Sequence, residues 1–150
     1  MLRLRIPEQD DEIIWSLVEA ELIPKSNLNW DIPQLKNEMP KRLSKGFTYV
    51  KVDLVNQPIA FIHAVVIERI LFIDMLAVHS YLQRRGIGQI LLQSAEKQAI
   101  LQSCSSSKLA VDAGNEPARR FYERAGYKSR QYLVNLQCWE MFKPFSQISE

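Results

Sequence analysis

Residues 72–101 read FIDMLAVHSYLQRRGIGQILLQSAEKQAIL. An apolar run gives way to a polar break holding Arg84, Arg85, Gly86 and Gly88, and a helical pattern follows at once. Leu71 to Val78 reads as a strand and Ile87 to Leu101 as a helix, with Ile90, Leu91, Ala95, Gln98 and Leu101 turned toward a sheet. The first turn of a helix has amides without intrahelical partners, and glycine lets an anion come close to them. Arg84 and Arg85 add planar donors suited to phosphate oxygens, so a pyrophosphate fits the segment. Taken alone, the stretch equally describes a tight strand-to-helix turn with two solvated arginines. It is not GxGxxG, because Leu91 stands where the third glycine belongs, and it is not GxxxxGK[ST]; NAD and ATP lose their usual support.

Working outward, LRLRI alternates and meets Pro7, which predicts a strand from Leu2 to Ile6. DDEIIWSLVEAEL sets Ile13, Ile14, Leu17, Val18 and Leu22 on one helical face, with carboxylates in the first turn. Asp31 with Gln34 caps a second helix, which Pro40 is expected to limit. FTYVKVDLV and PIAFIHAVVI, separated by Asn56 and Gln57, form a hairpin, and ERI turns the chain into the fourth strand. Ser103 to Ser107 is a polar break and KLAV a buried strand. Pro117 to Ala125 is a helix stopped by Gly126, and YKSRQYLV and QCWEMFKPF are closing strands around Asn135. The fold class is α/β: a mixed, mostly antiparallel sheet of six to seven strands flanked by about four helices.

A chain of 150 residues suits one domain, here 1–150. Its 19 Lys and Arg are scattered against 17 Asp and Glu, for a charge of +2, which does not suit a nucleic-acid partner. Arg69 and Asp74 interrupt the longest apolar run, and the N-terminus lacks a signal-like stretch, so no membrane association and a cytoplasmic location are expected. Cys104 and Cys138 make neither a disulfide scaffold nor a CxxC pair, and two histidines without HExxH give no metal centre.

Two motifs occur in order. Leu76, Ala77 and Val78 lead into Gln83-Arg84-Arg85-Gly86-Ile87-Gly88, and NEPARRFYERAGY follows with Asn115, Ala118, Phe121, Tyr122, Gly126 and Tyr127 in an N-x-x-A-x-x-F-Y-x-x-x-G-aromatic pattern. Phe72 to Tyr127 thereby resembles the GNAT superfamily of acyl-CoA-dependent N-acetyltransferases. The resemblance implies a GNAT-like fold over nearly the whole chain, with parallel strands four and five splayed apart, and acetyl-CoA as the acetyl donor. It implies that the backbone of Leu76, Ala77 and Val78, with Met75, pairs with the pantetheine arm. Gln83, Arg84, Arg85, Gly86, Ile87 and Gly88 would hold the pyrophosphate. Asn115 would touch the arm, and Phe121 and Tyr122 would lie beside the thioester. A homodimer is also compatible with it.

In that chemistry a neutral amine attacks the thioester, so a group must accept its proton and the departing thiolate must be stabilised or protonated. By resemblance Tyr122 is the acid; otherwise it is a tyrosine packed on an amphipathic helix. Asp74 shares strand parity with Leu76 and Val78, in a run where a carboxylate is unexpected. It is the candidate base, an ammonium binder, or the partner of an arginine such as Arg69. His63 is the next candidate base and His79 a weaker one.

The acceptor, an amine, would be bound by helices one and two, their connection IPKSNLNWDIP and the loop between the last strands. Trp30, Tyr49, Phe61 and Trp139 either line that cleft or belong to the core. Peptide-directed relatives often carry a glutamate where Ala110 stands, which favours a small molecule over a protein terminus. Two other classes stay open: an acetyl-CoA-binding module without turnover, and a nucleotide- or nucleic-acid-binding protein using Arg84 and Arg85.

Overall fold

The computed structural model describes residues 1–146. Its strands are β1 (Leu2–Leu4), β2 (Phe47–Val52), β3 (Pro58–Ile67), β4 (Ile70–Val78), β5 (Ser106–Asp112), β6 (Lys128–Leu133) and β7 (Cys138–Pro144). They form one sheet in the order β1-β2-β3-β4-β5-β7-β6, antiparallel throughout except for the parallel β4–β5 pair. The helices are α1 (Pro7–Leu17), α2 (Ile32–Leu43), α3 (Ile87–Leu101) and α4 (Glu116–Arg124). This is the arrangement that the resemblance implies, with one helix layer on each face of the sheet.

Alternation along the strands feeds both layers. Ala60, Ile62, Ala64, Leu71 and Ile73 lie under Leu91, Leu92, Ala95 and Ala99 of α3. On the opposite face Val50, Phe61, Met75 and Ala77 pack with Ile14, Trp15 and Leu17 of α1 and Leu35, Met39 and Leu43 of α2.

Several expectations change. The buried face of α3 is Leu91, Leu92, Ala95 and Ala99, whereas Ile90 and Leu101 are exposed. Small side chains one turn apart let the helix sit close to the sheet, and that face wins over a wider apolar stripe. Helix α2 runs through Pro40, which lies on its exposed side, because Met39 and Leu43 bury on either side of it; the missing amide costs only the bond to Lys36. Ser106 and Ser107 belong to β5, not to a polar break: the ladders to β4 and β7 take their backbone groups, and Ser107 Oγ lies 2.7 Å from the Tyr127 hydroxyl. Tyr127 in turn donates to Glu96 at 2.7 Å, and Lys143 caps the other Glu96 oxygen at 2.9 Å.

Strand β1 ends at Leu4, short of the expected Ile6, although the Arg5 amide still donates to Thr48 O at 2.9 Å; Arg3 and Arg5 tie it to α1. Arg3 grips both oxygens of Asp10, at 2.7 and 3.0 Å, and the Ile6 amide donates to the same carboxylate at 2.7 Å. Asp10 is fully buried. Arg5 holds Asp11 through two bonds in the same way.

Candidate active site

Strands β4 and β5 pair only at Ile70–Ser106, Leu71–Ser107 and Phe72–Lys108. Beyond Phe72 they part, so the edge of β4 from Ile73 to Val78 has no ladder partner on that side, while β5 stays paired to β7 through Asp112. A cavity of about 220 Å³ fills the opening. Its walls are Ile73 to Leu76 of β4, Leu109 to Asp112 of β5, Asn115, Ala118 and Tyr122 around α4, Met39 and Arg42 of α2, and Glu21, Leu22, Ile23, Lys25, Ser26 and Trp30 of the α1–α2 connection.

At the wide end of this wedge the turn into α3 is built from two glycines with different jobs. Gly86 has φ +81° and a Cβ there would meet nothing within 4 Å, so its requirement is the left-handed backbone. A Cβ on Gly88 would lie 3.4 Å from the Phe121 ring and 3.8 Å from Val78, ordinary contact distances, so a methyl fits there and a larger side chain meets Phe121. Arg84 and Arg85 are exposed beside the turn, and the Gln83 amide folds back to Val78 O at 3.0 Å and Glu21 Oε1 at 3.2 Å. Gly88→Val should push Phe121 into the wedge and weaken acetyl-CoA binding at least tenfold, about 1.4 kcal/mol, by calorimetric titration. Gly88→Ala, whose methyl reaches only ordinary contact, should bind within a few-fold of the parent. Unchanged affinity in folded Gly88→Val would separate this turn from the donor site.

Tyr122 stacks edge-on against Phe121 and Tyr127, with centroids 5.0 and 5.7 Å away, and borders the cavity. Burial pushes its pKa far up, so the phenol is protonated and available as a donor. Asn115 caps α4 by accepting from the Ala118 amide at 3.4 Å, and its own amide donates to Asp112 O at 3.0 Å.

Asp74 departs from its expected surroundings. The register shifts so that His63 faces Met75 and Ala64 faces Ile73, leaving Asp74 as an extra residue in a β-bulge. It therefore does not share a face with Leu76 and Val78, which pack toward α3, but turns toward α2. There Arg42, and not Arg69, holds both of its oxygens at 2.9 and 2.6 Å; Arg69 donates to Ser103 O instead. Taking a proton would break a bidentate, charge-assisted pair.

His63 is sealed behind Asp74 and does not line the cavity. Its Nδ1 lies 2.8 Å from Thr48 Oγ1, and its Nε2 is 3.6 Å from Asp74 Oδ2 and unbonded. Burial pushes the imidazole pKa down, against the pull of Asp74, so the ring is held neutral.

His79 sits outside the cavity, accepting from the Tyr81 amide. Cys104 and Cys138 are buried free thiols. Of the four large aromatics, Trp30 alone lines the cavity; Phe61 is core, Tyr49 packs against Phe47, and Trp139 takes Arg119 over its ring. The site adds Glu21, Lys25, Arg42 and Asp112, which the sequence did not single out. Burial pushes the Asp112 pKa up, opposed by the Asn27 backbone amide.

The description of the acetyltransferase (GNAT) family matches residues 12–127. The chain belongs to the GNAT acetyltransferase family. It is thus an acetyl-CoA-dependent N-acetyltransferase. Among solved structures, PaiA N-acetyltransferase from Thermoplasma acidophilum in complex with coenzyme A is 17% identical, with TM-score 0.80 over 97% of this chain and 99% of that one. The NatC complex bound to Gag peptide and CoA contains a chain 22% identical, with TM-score 0.73 over 97% and 98%. The ribosomal-protein-S18-alanine N-acetyltransferase from Escherichia coli is 17% identical, with TM-score 0.72 over 100% and 97%. At these identities the likeness is one of fold. No curated protein matches the chain by sequence. No described helix is long and apolar enough to cross a membrane, and no cluster of metal-ligating side chains occurs among the described residues.

Proposed function

We propose that this GNAT enzyme moves an acetyl group from acetyl-CoA to a small primary amine by direct attack in a ternary complex. In this reading the free edge of β4 from Met75 to Val78 holds the pantetheine amides as an added strand would, and the turn from Gln83 to Gly88 receives the pyrophosphate. The amine lone pair forms the new C–N bond, the C–S bond breaks, and Tyr122 gives its proton to the departing thiolate.

The observation that carries the choice of a small acceptor is a clasp beside the cavity, between the neighbours of its lining residues Ser26 and Asp112. Asn27, in the α1–α2 connection, donates through Nδ2 to Ala113 O at 3.0 Å and to Gln137 O at 2.9 Å. It thus ties that connection to the β5–α4 turn and to the turn between β6 and β7. The clasp draws these three segments together beside the cavity, whose volume of about 220 Å³ suits a small amine. Free-thiol release measured with small primary amines and with unblocked hexapeptides tests the choice. The expected result is turnover of at least one amine with kcat/KM at least about tenfold above any peptide. Asn27→Ala, which opens the clasp, should narrow that gap. Peptides outperforming every amine would assign the acceptor to protein termini, and tight acetyl-CoA binding without thiol release would make the chain a binding module.

A further inference from the structure

We propose that Asp112, the last residue of β5, receives the ammonium of the acceptor and takes the proton that must leave before its nitrogen can attack, which makes the acceptor an aliphatic amine. The proposal rests on the acetyl-transfer reading above. Asp74 is gripped on both oxygens by Arg42, and His63 lies fully buried behind it. Asp112 is placed differently. The buried Leu109 and Val111 of β5 point toward α3, so Ala110 and Asp112 alternate to the opposite face, where the cavity lies. The Asp112 carboxylate makes no salt bridge among the described residues, although Lys25 lines the same cavity. Tyr122 borders that cavity from α4, so one space holds a carboxylate outside any salt bridge, met by the Asn27 backbone amide, and a protonated phenol. These are the two proton-handling groups the reaction needs.

The groups around it fit this role. Cys138 is its cross-strand neighbour on β7, and Glu140 lies two residues on, on the same face. Glu21 and Lys25 approach from the α1–α2 connection, Arg42 and Asp74 from α2 and β4. Arg42 and Asp74 neutralise one another, which leaves Asp112 and Glu21 as the cavity carboxylates outside a salt bridge; Glu21 is engaged by the Gln83 side-chain amide, and Asp112 stands on β5 facing the α4 wall that carries Tyr122. Burial raises its pKa, which moves a carboxylate toward the range where it can hold a proton transiently.

The step balances as follows. The alkylammonium gives one N–H proton to Asp112, and the freed lone pair attacks the thioester carbonyl. The C–S bond then breaks, the sulfur takes the Tyr122 proton, one of the two remaining N–H protons passes to the Tyr122 oxygen while the other stays on the amide product, and Asp112 releases its proton to solvent. An arylamine is already neutral near pH 7 and has no such proton to give up.

The test compares the full chain with Asp112→Asn and Asp112→Glu, using n-butylamine and aniline as acceptors across pH. Asp112→Asn should bind acetyl-CoA as the parent does, and lose about 100-fold in kcat/KM for n-butylamine at pH 7. The deficit should shrink as pH rises toward the amine's own pKa. Its kcat/KM for aniline should stay within about three-fold of the parent, and Asp112→Glu should recover part of the n-butylamine rate. An unchanged n-butylamine profile, or equal losses on both amines, would overturn the proposal. If the parent binds acetyl-CoA but acetylates neither amine, the acetyl-transfer reading fails on its own. Calorimetric titration with n-butylammonium then decides for Asp112: affinity at least about tenfold weaker in Asp112→Asn upholds the ammonium site, and equal affinity overturns it.

Discussion

Tyr122→Phe is expected to bind acetyl-CoA nearly as the parent does, to melt within a few degrees of it, and to complete the chemical step about 10- to 10⁴-fold more slowly. The substitution removes one oxygen from a ring wedged between Phe121 and Tyr127, and the packing of both contacts survives it. The buried hydroxyl has a strongly raised pKa, so what is lost is a donor. The lower bound is tenfold because a thiol with a reference pKa of about 8.5 is a tolerable leaving group near neutral pH without help. Single-turnover measurement at saturating acetyl-CoA is required, since slow product release would hide a chemical defect in steady state. Full chemical rate with intact binding would make Tyr122 a packing residue and leave the thiolate to solvent or backbone amides.

Asp10→Ala is expected to cost about 3 kcal/mol, or about 6–12 °C in Tm. Asp10 is fully buried, with Arg3 on both oxygens and the Ile6 amide on one, and its removal leaves a largely buried guanidinium without its counter-charge. Desolvation alone would raise the Asp10 pKa, but the Arg3 bonds, the Ile6 amide and the Arg3 and Arg5 charges outweigh it, and the net direction is down. A carboxyl whose folded pKa lies below its unfolded value stabilises the fold fully above that unfolded value, about 3.9. The contribution disappears as pH falls through the folded value. The Tm gap between parent and Asp10→Ala should therefore be constant near neutrality and shrink below about pH 4. Equal melting temperatures at pH 7 would show that Arg3 finds equal partners elsewhere.

What the chain announces about itself is uneven for physical reasons. The β4–turn–α3 unit and α4 are legible because glycine spacing, helical periodicity and caps are local properties, and Gly86, Gly88, Asn115 and Gly126 sit within one turn of what they control. The bulge at Asp74 is not, because it depends on how β3 pairs across the sheet; one extra residue reverses the face of a side chain whose sequence neighbours look ordinary. Arg42 was invisible as its partner, since 32 residues separate them and an arginine near a helix C-terminus reads as solvated. Asp112 escaped notice because only the apolar KLAV of β5 stands out, while its serines are paired in the sheet and its aspartate faces the cavity. Local chemistry marks the turn into α3 and the cap of α4, and long-range pairing decides where Asp74, Arg42 and Asp112 stand.

The three-pair seam between β4 and β5 makes the sheet two half-sheets joined at one end. The unpaired edge beyond the seam is a place where water must stand in for a missing strand. A donor whose amides fill that edge binds the folded chain and not the unfolded one, so mass action ties folding to supply. At a concentration one hundred times its dissociation constant such a ligand adds about 2.7 kcal/mol. With the donor seated as proposed above, the folded enzyme would be most robust when acetyl donor is plentiful and closest to unfolding when it is scarce.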